Sequence, residues 1–392
     1  MDGPELVLVA NARMPSQRAQ SIQVAQMAAG FARRGARTTL LHARRRDTPE
    51  RPDDEVLDFY AVPRGARPRL QSIPCSDWID RAPRRLQFAP ARLQELTFAR
   101  NAARRVRDGF PGALVLSREI EVARLLARER RAFLEIHRVP GGRLRRRWLL
   151  QAVPACGGLV AISSGVREDL ERLGVSPDKI RVEHDAVDLE RFAALPERSA
   201  ARAELGLAAD AQVVVYTGGL LAWKGVDVLV EAARSLPAVT FVIAGGMDAD
   251  VHRVAALAEG LDNVRLDGFQ PPARMPLYLA AGDLGVVPNR SKPAISARYT
   301  SPLKVFEALA AGLPLVASDL PSLRDVLAPD RDAALVAPDD PAALAAGIER
   351  LLGDPELRAE LSARGRARSR GLSWEARAER ILAWMHERGA AA

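Results

Sequence analysis

Lysine is nearly absent. Four residues, Lys179, Lys224, Lys292 and Lys304, stand among 57 basic side chains. Cysteine is as scarce, and Cys75 and Cys156 alone exclude a disulfide framework or a four-thiolate zinc site. Five scattered histidines add no metal-ligand spacing, so no metal and no cofactor is expected. Aromatics make up 5% and no nucleic-acid module occurs, which argues against nucleic acid as a partner. No apolar run reaches the roughly 18–20 residues that span a bilayer. The opening MDGPELVLVANARMPS puts acidic residues before a short apolar run, unlike a secretory signal. The expected location is the cytoplasm, with any membrane contact peripheral at the inner face. Neither GxxxxGK[ST], GxGxxG nor GxSxG is present.

What is present is ordinary globular composition. The chain has 392 residues, 48% hydrophobic and 27% charged, enough for about two domains with real cores. The charge is uneven. Residues 1–150 carry 30 Arg and no Lys against 16 acidic residues, while the remainder carries 27 basic and 33 acidic. Preference for Arg over Lys reads as a compositional bias of the genome. The placement of the charge points to an anionic partner for the first half.

Apolar runs alternate with amphipathic stretches throughout. Leu6–Ala10, Thr38–His42, Ala113–Ser117, Phe133–His137, Gly158–Ser163 and Ile180–Glu183 read as strands, with a helix from Ser21 to Arg34. Residues 190–210, polar and Ala-rich, read as a linker. The pattern then restarts with Val213–Thr217, Val239–Ala244, Val264–Asp267, Leu284–Pro288, Pro314–Ser318 and Ala334–Ala337. The expected fold is α/β, two doubly wound parallel-sheet domains over 1–195 and 196–372 and a last helix over 373–392. Ligands of such sheets bind at the carboxyl ends of the strands.

Four segments bear on chemistry. In YTSPLKVFEALAAG (299–312), Ser301 suits an N-cap and Pro302 the first helical position. Lys304 and Glu307 share one helical face, and a helix start with a cation beside it suits phosphate. The same pattern describes an ordinary capped helix with a surface Lys–Glu pair. In VVVYTGGLLAWKG (213–225), a strand runs into Gly218-Gly219 and then Lys224, a phosphate-site order or simply a strand–turn–helix junction. His137 follows a strand in LEIHRVPGG. Asn11, Arg13 and Gln20 lie in or just after the loop following the first strand, and Arg118 follows ALVLS. Asp248-Ala249-Asp250 matches a DxD pattern but reads as a helix start. RLRRRW (143–148) reads as a solvated helix face or as a contact for anionic lipid or a charged acceptor.

Taken in order, ISSGVREDLERLGV…KIRVEHDAVDLERF, YTGGLLAWKGVDVLVEAA, VRLDGFQPPARMPLYLAAGDLGVVP and SPLKVFEALAAGLPLVASDLPSLRDVL resemble glycosyltransferase family 4 over nearly the whole chain. The resemblance implies the GT-B fold and metal-independent, retaining transfer of a hexosyl group from a nucleotide-sugar, UDP-sugar favoured. The acceptor would be a glycan, a lipid-linked or a small-molecule hydroxyl. It assigns Lys224 to the donor diphosphate, Glu307 to the ribose and His137 to the donor sugar. Gly218, Gly219, Tyr299, Ser301, Pro302, Leu303 and Lys304 would line the donor's diphosphate and sugar, and Gly268 and Phe269 the base. Asn11, Arg13, Gln20 and Arg118 would face the acceptor, and the last helix would return to the N-terminal domain. Two positions depart from the family: Gly219 stands where an arginine is common, and Tyr299 where the first of two glutamates is expected. Arg298 or Lys304 is expected to supply the missing charge. The departures keep two other readings open, another GT-B enzyme such as a nucleotide-sugar epimerase and a non-catalytic nucleotide-sugar-binding scaffold.

Overall fold

A computed structural model describes residues 3–126 and 132–390. It divides into two compact units. The first comprises residues 1–162, 166–183 and 374–392, the second residues 163–165 and 184–373.

The first unit is built on seven parallel strands: β1 (Glu5–Ala10), β2 (Arg37–Ala43), β3 (Arg69–Ile73), β4 (Leu114–Ser117), β5 (Ala132–Ile136), β6 (Gly158–Ala161) and β7 (Ile180–Val182). Their order is β3-β2-β1-β4-β5-β6-β7. Five of the six residues of β1 are buried, which is why the run LVLVA is uniformly apolar: a central parallel strand is covered on both faces. β3 has no such run. RLQSI is an edge strand with one buried residue, so hydrophobic patterning does not reveal it.

The second unit has six parallel strands: β8 (Gln212–Thr217), β9 (Val239–Ala244), β10 (Val264–Gly268), β11 (Leu284–Val287), β12 (Leu315–Ser318) and β13 (Ala334–Val336). They lie in the order β10-β9-β8-β11-β12-β13. Alternate β8 residues serve opposite faces. Val213 and Val215 join one core cluster, Val214 and Tyr216 the other. In each unit the strand order reverses once, between β1 and β4 and between β8 and β11. These are the points where open α/β sheets present a crevice at their carboxyl ends.

Residues 190–210 are not a linker. They contain the helices Leu189–Ala193 and Arg198–Leu205, and Phe192, Ala201 and Leu205 are buried in the core of the second unit. The polar, Ala-rich composition reflects short helices that bury few residues each. The chain changes unit after residue 183 rather than 195, and residues 184–195 pack with the second unit: the Val187 N–H donates to the Leu372 carbonyl oxygen.

The last helix, Trp374–Ala390, packs on the helix Ala19–Arg33 within the first unit. Trp374, Ile381 and Met385 are buried in it, and Trp384 meets Phe133 edge to face. One buried side chain on this face is charged. Arg377 is fully buried, and its Nη2 donates to Glu135 Oε2 at 3.0 Å and to the Glu183 carbonyl oxygen at 3.2 Å. Burial alone would push the Glu135 carboxyl up. Arg377, the bond to His137 and Arg118 outweigh it and hold the group well below the usual carboxylate range.

Two stability outcomes follow from this helix. Trp374→Ala should lower the unfolding free energy by about 3–5 kcal/mol, read from urea titration. Glu135→Gln should destabilise the protein at neutral pH by leaving Arg377 buried without its counter-charge, about 3–5 kcal/mol at most. Because the folded carboxyl is depressed, its contribution is present above the unfolded value near pH 4.5 and is lost as pH falls below it. The gap in melting temperature between wild type and Glu135→Gln should therefore narrow on acidification below that pH.

Candidate functional site

At the reversal point of the second unit, β8 ends in Tyr216-Thr217 and the chain turns through Gly218-Gly219. Tyr216 is fully buried and its hydroxyl donates to the Gly219 carbonyl oxygen at 2.6 Å, which props the turn from below. Gly218 has φ +120°, a conformation side chains resist. A Cβ there would lie 3.3 Å from Lys304 Cε and 3.5 Å from its Nζ. The chain then makes a short turn over Ala222–Lys224 and enters the helix Val226–Arg234. Gly225, at φ +71°, lets this turn close on the end of β11: a Cβ would fall 1.7 Å from the Pro288 carbonyl oxygen.

Lys304 reaches this turn from the helix Leu303–Ala311, which follows the loop after β11. Its side chain is 9% exposed and Nζ sits 3.4 Å from the centroid of the Tyr216 ring. Among the described residues that Nζ has no hydrogen-bond partner. Burial pushes the ammonium well below the usual lysine range. The positive charge of Lys224 adds to the shift, and Glu307 acts against it. Lys224 Nζ lies 4.0 Å from the centroid of the Trp223 ring, and burial lowers this lysine to about 8. Two lysines are thus held close enough to repel, and only Glu307 opposes that repulsion at Lys304, an arrangement that a further negative group would relieve.

Glu307, one turn beyond Lys304, accepts a hydrogen bond from Arg191 Nη2 at 2.6 Å. Burial raises its carboxyl, and Arg191 and then Lys304 oppose the rise. Its orientation is fixed before any ligand is present. Arg191 was not singled out in the sequence. It lies on the helix Leu189–Ala193, in the stretch read as linker.

Ser301 and Pro302 behave differently from expectation. The N-cap of the helix is Pro302, with no side-chain cap bond, and Pro302 is not its first helical residue. The Ser301 hydroxyl instead accepts from the Asp185 N–H at 2.8 Å, binding the loop to the strand-exit segment of its own unit. The first-turn N–H groups of Leu303 and Lys304 precede the first helical bond, donated by Val305 to the Pro302 carbonyl oxygen. Tyr299 ends a single π-helical turn, Ile295–Tyr299. Arg298 stacks over the Tyr299 ring at 5.8 Å and its Nη2 donates to the Gly165 carbonyl oxygen. Of the two cations considered for the missing arginine, Lys304 is the one at Gly218. Gly268 closes β10 and accepts from the Gly245 N–H at 2.6 Å, with Phe269 half-buried behind it. Asn289, just past β11, is fully buried with both amide atoms unpartnered among the described residues, a feature with no sequence signal. Asp248 opens the helix Asp248–Leu257, so the DxD pattern marks a helix start.

The first unit gathers a second group at the carboxyl ends of β1, β4 and β5. His137 follows β5, and its Nε2 lies 2.6 Å from Glu135 Oε1. Gln23 Nε2 donates to that same oxygen at 3.1 Å, and Arg118 Nη1 donates to Gln23 Oε1. The sequence signal for Glu135 was a carboxylate inside the apolar run FLEI, and for Arg377 an arginine on the apolar stripe of the last helix. Asn11 is tied into the fold: it exchanges two amide hydrogen bonds with Gln94, at 2.9 and 2.8 Å, and its N–H donates to Glu119. Arg13 pairs with Asp80 at 3.0 Å, and Gln20 is exposed at the start of the first helix.

A Glycosyltransferase Family 4 model matches residues 20–191, and a Glycosyl transferases group 1 model matches residues 197–368. A D-inositol 3-phosphate glycosyltransferase of Xylanimonas cellulosilytica is 34% identical over 245 residues, which is 59% of this chain and 57% of that protein. The chain therefore spans little more than half the length of the curated relatives it matches. Among solved structures, sucrose-phosphate synthase from Thermosynechococcus elongatus aligns with a TM-score of 0.78 at 22% identity over 99% of this chain and 100% of its own. HepE from Anabaena in complex with UDP aligns at 0.73 and 16% identity, over 98% and 100% of the two chains. These neighbours share the two-unit GT-B fold. With both halves matched by family models in the right order, the chain belongs to glycosyltransferase family 4.

Proposed function

We propose that the protein is a retaining glycosyltransferase that moves a hexosyl group from a nucleoside-diphosphate sugar, UDP-sugar favoured, to an acceptor hydroxyl. The observation that carries this reading is the buried, hydrogen-bond-free ammonium of Lys304 beside Gly218 and Lys224. A diphosphate supplies the charge that this pair lacks. In the reaction the bond from the anomeric carbon to the diphosphate breaks, the acceptor oxygen bonds to that carbon on the same face, and the acceptor proton leaves with the diphosphate. Negative charge grows on the leaving oxygen, so fixed cations and the Leu303 and Lys304 N–H groups stabilise that moment more than the ground state. Lys304 takes the part of the arginine replaced by Gly219. Glu307, held by Arg191, accepts from the ribose hydroxyls, and Gly268 and Phe269 border the base. Neither a cofactor nor a metal is part of this proposal. His137, braced by Glu135, is the residue of the first unit assigned to the sugar. Arg118 and the arginine-rich surroundings suit an acceptor carrying phosphate, as the relatives' name, D-inositol 3-phosphate glycosyltransferase, suggests.

Calorimetry with UDP, GDP, ADP and dTDP and their sugars tests the reading. One nucleotide should bind wild type. Lys304→Met should weaken it at least about tenfold while leaving the free protein as stable or more stable, because burial and Lys224 disfavour the ammonium more than Glu307 favours it. Lys224→Ala should abolish donor hydrolysis. Nucleotide binding without hydrolysis or transfer would favour the scaffold, and interconversion of the sugar without an acceptor would favour the epimerase. If no nucleotide binds, or Lys304→Met binds as wild type does, the proposal fails.

A pH series gives a second outcome. Lys224 is protonated in the free protein below about 8 and neutral above it. The anion selects the protonated form, so affinity should fall by up to about tenfold per pH unit above that value. That slope should flatten in Lys224→Ala.

A further inference from the structure

The helix Phe88–Gly109 of the first unit has its N-terminal half turned inside out. Gln94 is buried, whereas Ala89, Leu93 and Leu96, spaced four and three apart along one face, are exposed, and Arg100 continues the line. Immediately before it, Leu86 is 60% exposed, and Phe88 at the helix start is 80% exposed. Single exposed apolar residues need no explanation, but an apolar stripe on the solvent face of a helix does.

The helix Arg143–Ala152 continues this surface. Arg92 of the first helix lies over the Trp148 ring at 5.5 Å, and Glu121 pairs with both Arg92, at 3.4 Å, and Arg145, at 3.0 Å. Leu144 and Leu150 are exposed on it beside Arg143, Arg146 and Arg147. Together residues 78–100 and 143–150 hold nine arginines against Asp80 and Glu95. Both acids are already engaged, Asp80 by Arg13 and Glu95 by Arg92. Among the described residues Arg100, Arg143 and Arg147 have no acidic partner. No described helix is long and apolar enough to cross a membrane.

We infer that this face docks the protein onto an anionic phospholipid bilayer, Phe88, Leu93 and Leu96 entering the headgroup–acyl boundary and Arg100, Arg143 and Arg147 meeting lipid phosphates. The combination selects this occupant. Aliphatic side chains gain from an apolar layer, unpaired guanidinium groups gain from phosphates, and a bilayer surface offers both along one plane. A polyanion alone would leave the leucines and Phe88 without a partner. The inference does not depend on the proposed donor chemistry.

Co-sedimentation with vesicles tests it, using the whole protein. Binding is expected to vesicles containing phosphatidylglycerol and not to phosphatidylcholine alone, and it should weaken with added salt. Arg143→Ala/Arg147→Ala should lower partition by roughly thirtyfold, from about one kilocalorie per arginine. Leu93→Ser/Leu96→Ser should lower it by at least as much. Arg143 and Arg147 are exposed, so their variant should keep the wild-type melting temperature. Leu93 and Leu96 are 48% and 43% exposed, so a small drop is expected there, and binding is compared at a temperature where both variants are folded, so that its loss is read as loss of the surface. Four results would overturn the inference: no binding to phosphatidylglycerol vesicles; equal binding to both lipids; full displacement by a soluble polyanion such as RNA with the leucine variant unaffected; or a wild-type dimer, seen by light scattering, that the leucine variant dissociates.

Discussion

The ammonium of Lys304 is held in an apolar place. It is packed over the buried ring of Tyr216, brought against the backbone of Gly218 and pressed further by the charge of Lys224. A cation–π contact and the charge of Glu307 recover part of the lost hydration, and no hydrogen bond among the described residues recovers the rest. Several contacts hold the ammonium there. Tyr216 is fixed by the central strand of its sheet and by its bond to the Gly219 carbonyl oxygen. The glycine turn leaves the space in front of it open. Gly225 closes the lysine-bearing turn onto the end of the neighbouring strand. Under the proposed function these contacts would hold the positive charge in place before a diphosphate arrives, which is how electrostatic preorganisation works.

The first unit solves a related problem in the opposite way. Its buried charges are paired. Arg377 from the last helix meets Glu135, and Glu135 in turn holds His137 and Gln23. The residues at the carboxyl end of β5 are positioned by a helix remote in sequence, so fold integrity and site geometry are coupled there. In the second unit the buried Lys304 has no hydrogen-bonded counter-ion and rests on the Tyr216 ring and the more distant charge of Glu307. The contrast separates the part of the chain that orients from the part that waits for charge.

Much of the fold could be read from the sequence, for a physical reason. Central parallel strands are buried on both faces, so LVLVA, VVVYT and VTFVIA must be apolar throughout and announce themselves. β3 did not, because as an edge strand it has little to bury. Residues 190–210 were misjudged because short helices that each bury one to three residues carry no strong period. The order of the segments made the family legible, and with it the positions of the glycine turn and its lysines. Arg191 carried no such signal, and Glu135 and Arg377 carried only that of a charge within an apolar run or stripe, since the importance of each lies in which distant side chain it meets.

The sequence by itself determined the two-sheet α/β architecture, the family, the positions of the glycine turn and its lysines, and the basic character of the first half. Those are properties of local pattern and segment order. Only the tertiary structure decided that Ser301 caps nothing and instead accepts from Asp185, that Glu307 is held by Arg191, and that Lys304 occupies the place beside Gly218. It alone decided that Phe88, Leu93 and Leu96 face outward. Each of these depends on close approach between residues far apart in the chain, and periodicity and composition do not encode distance.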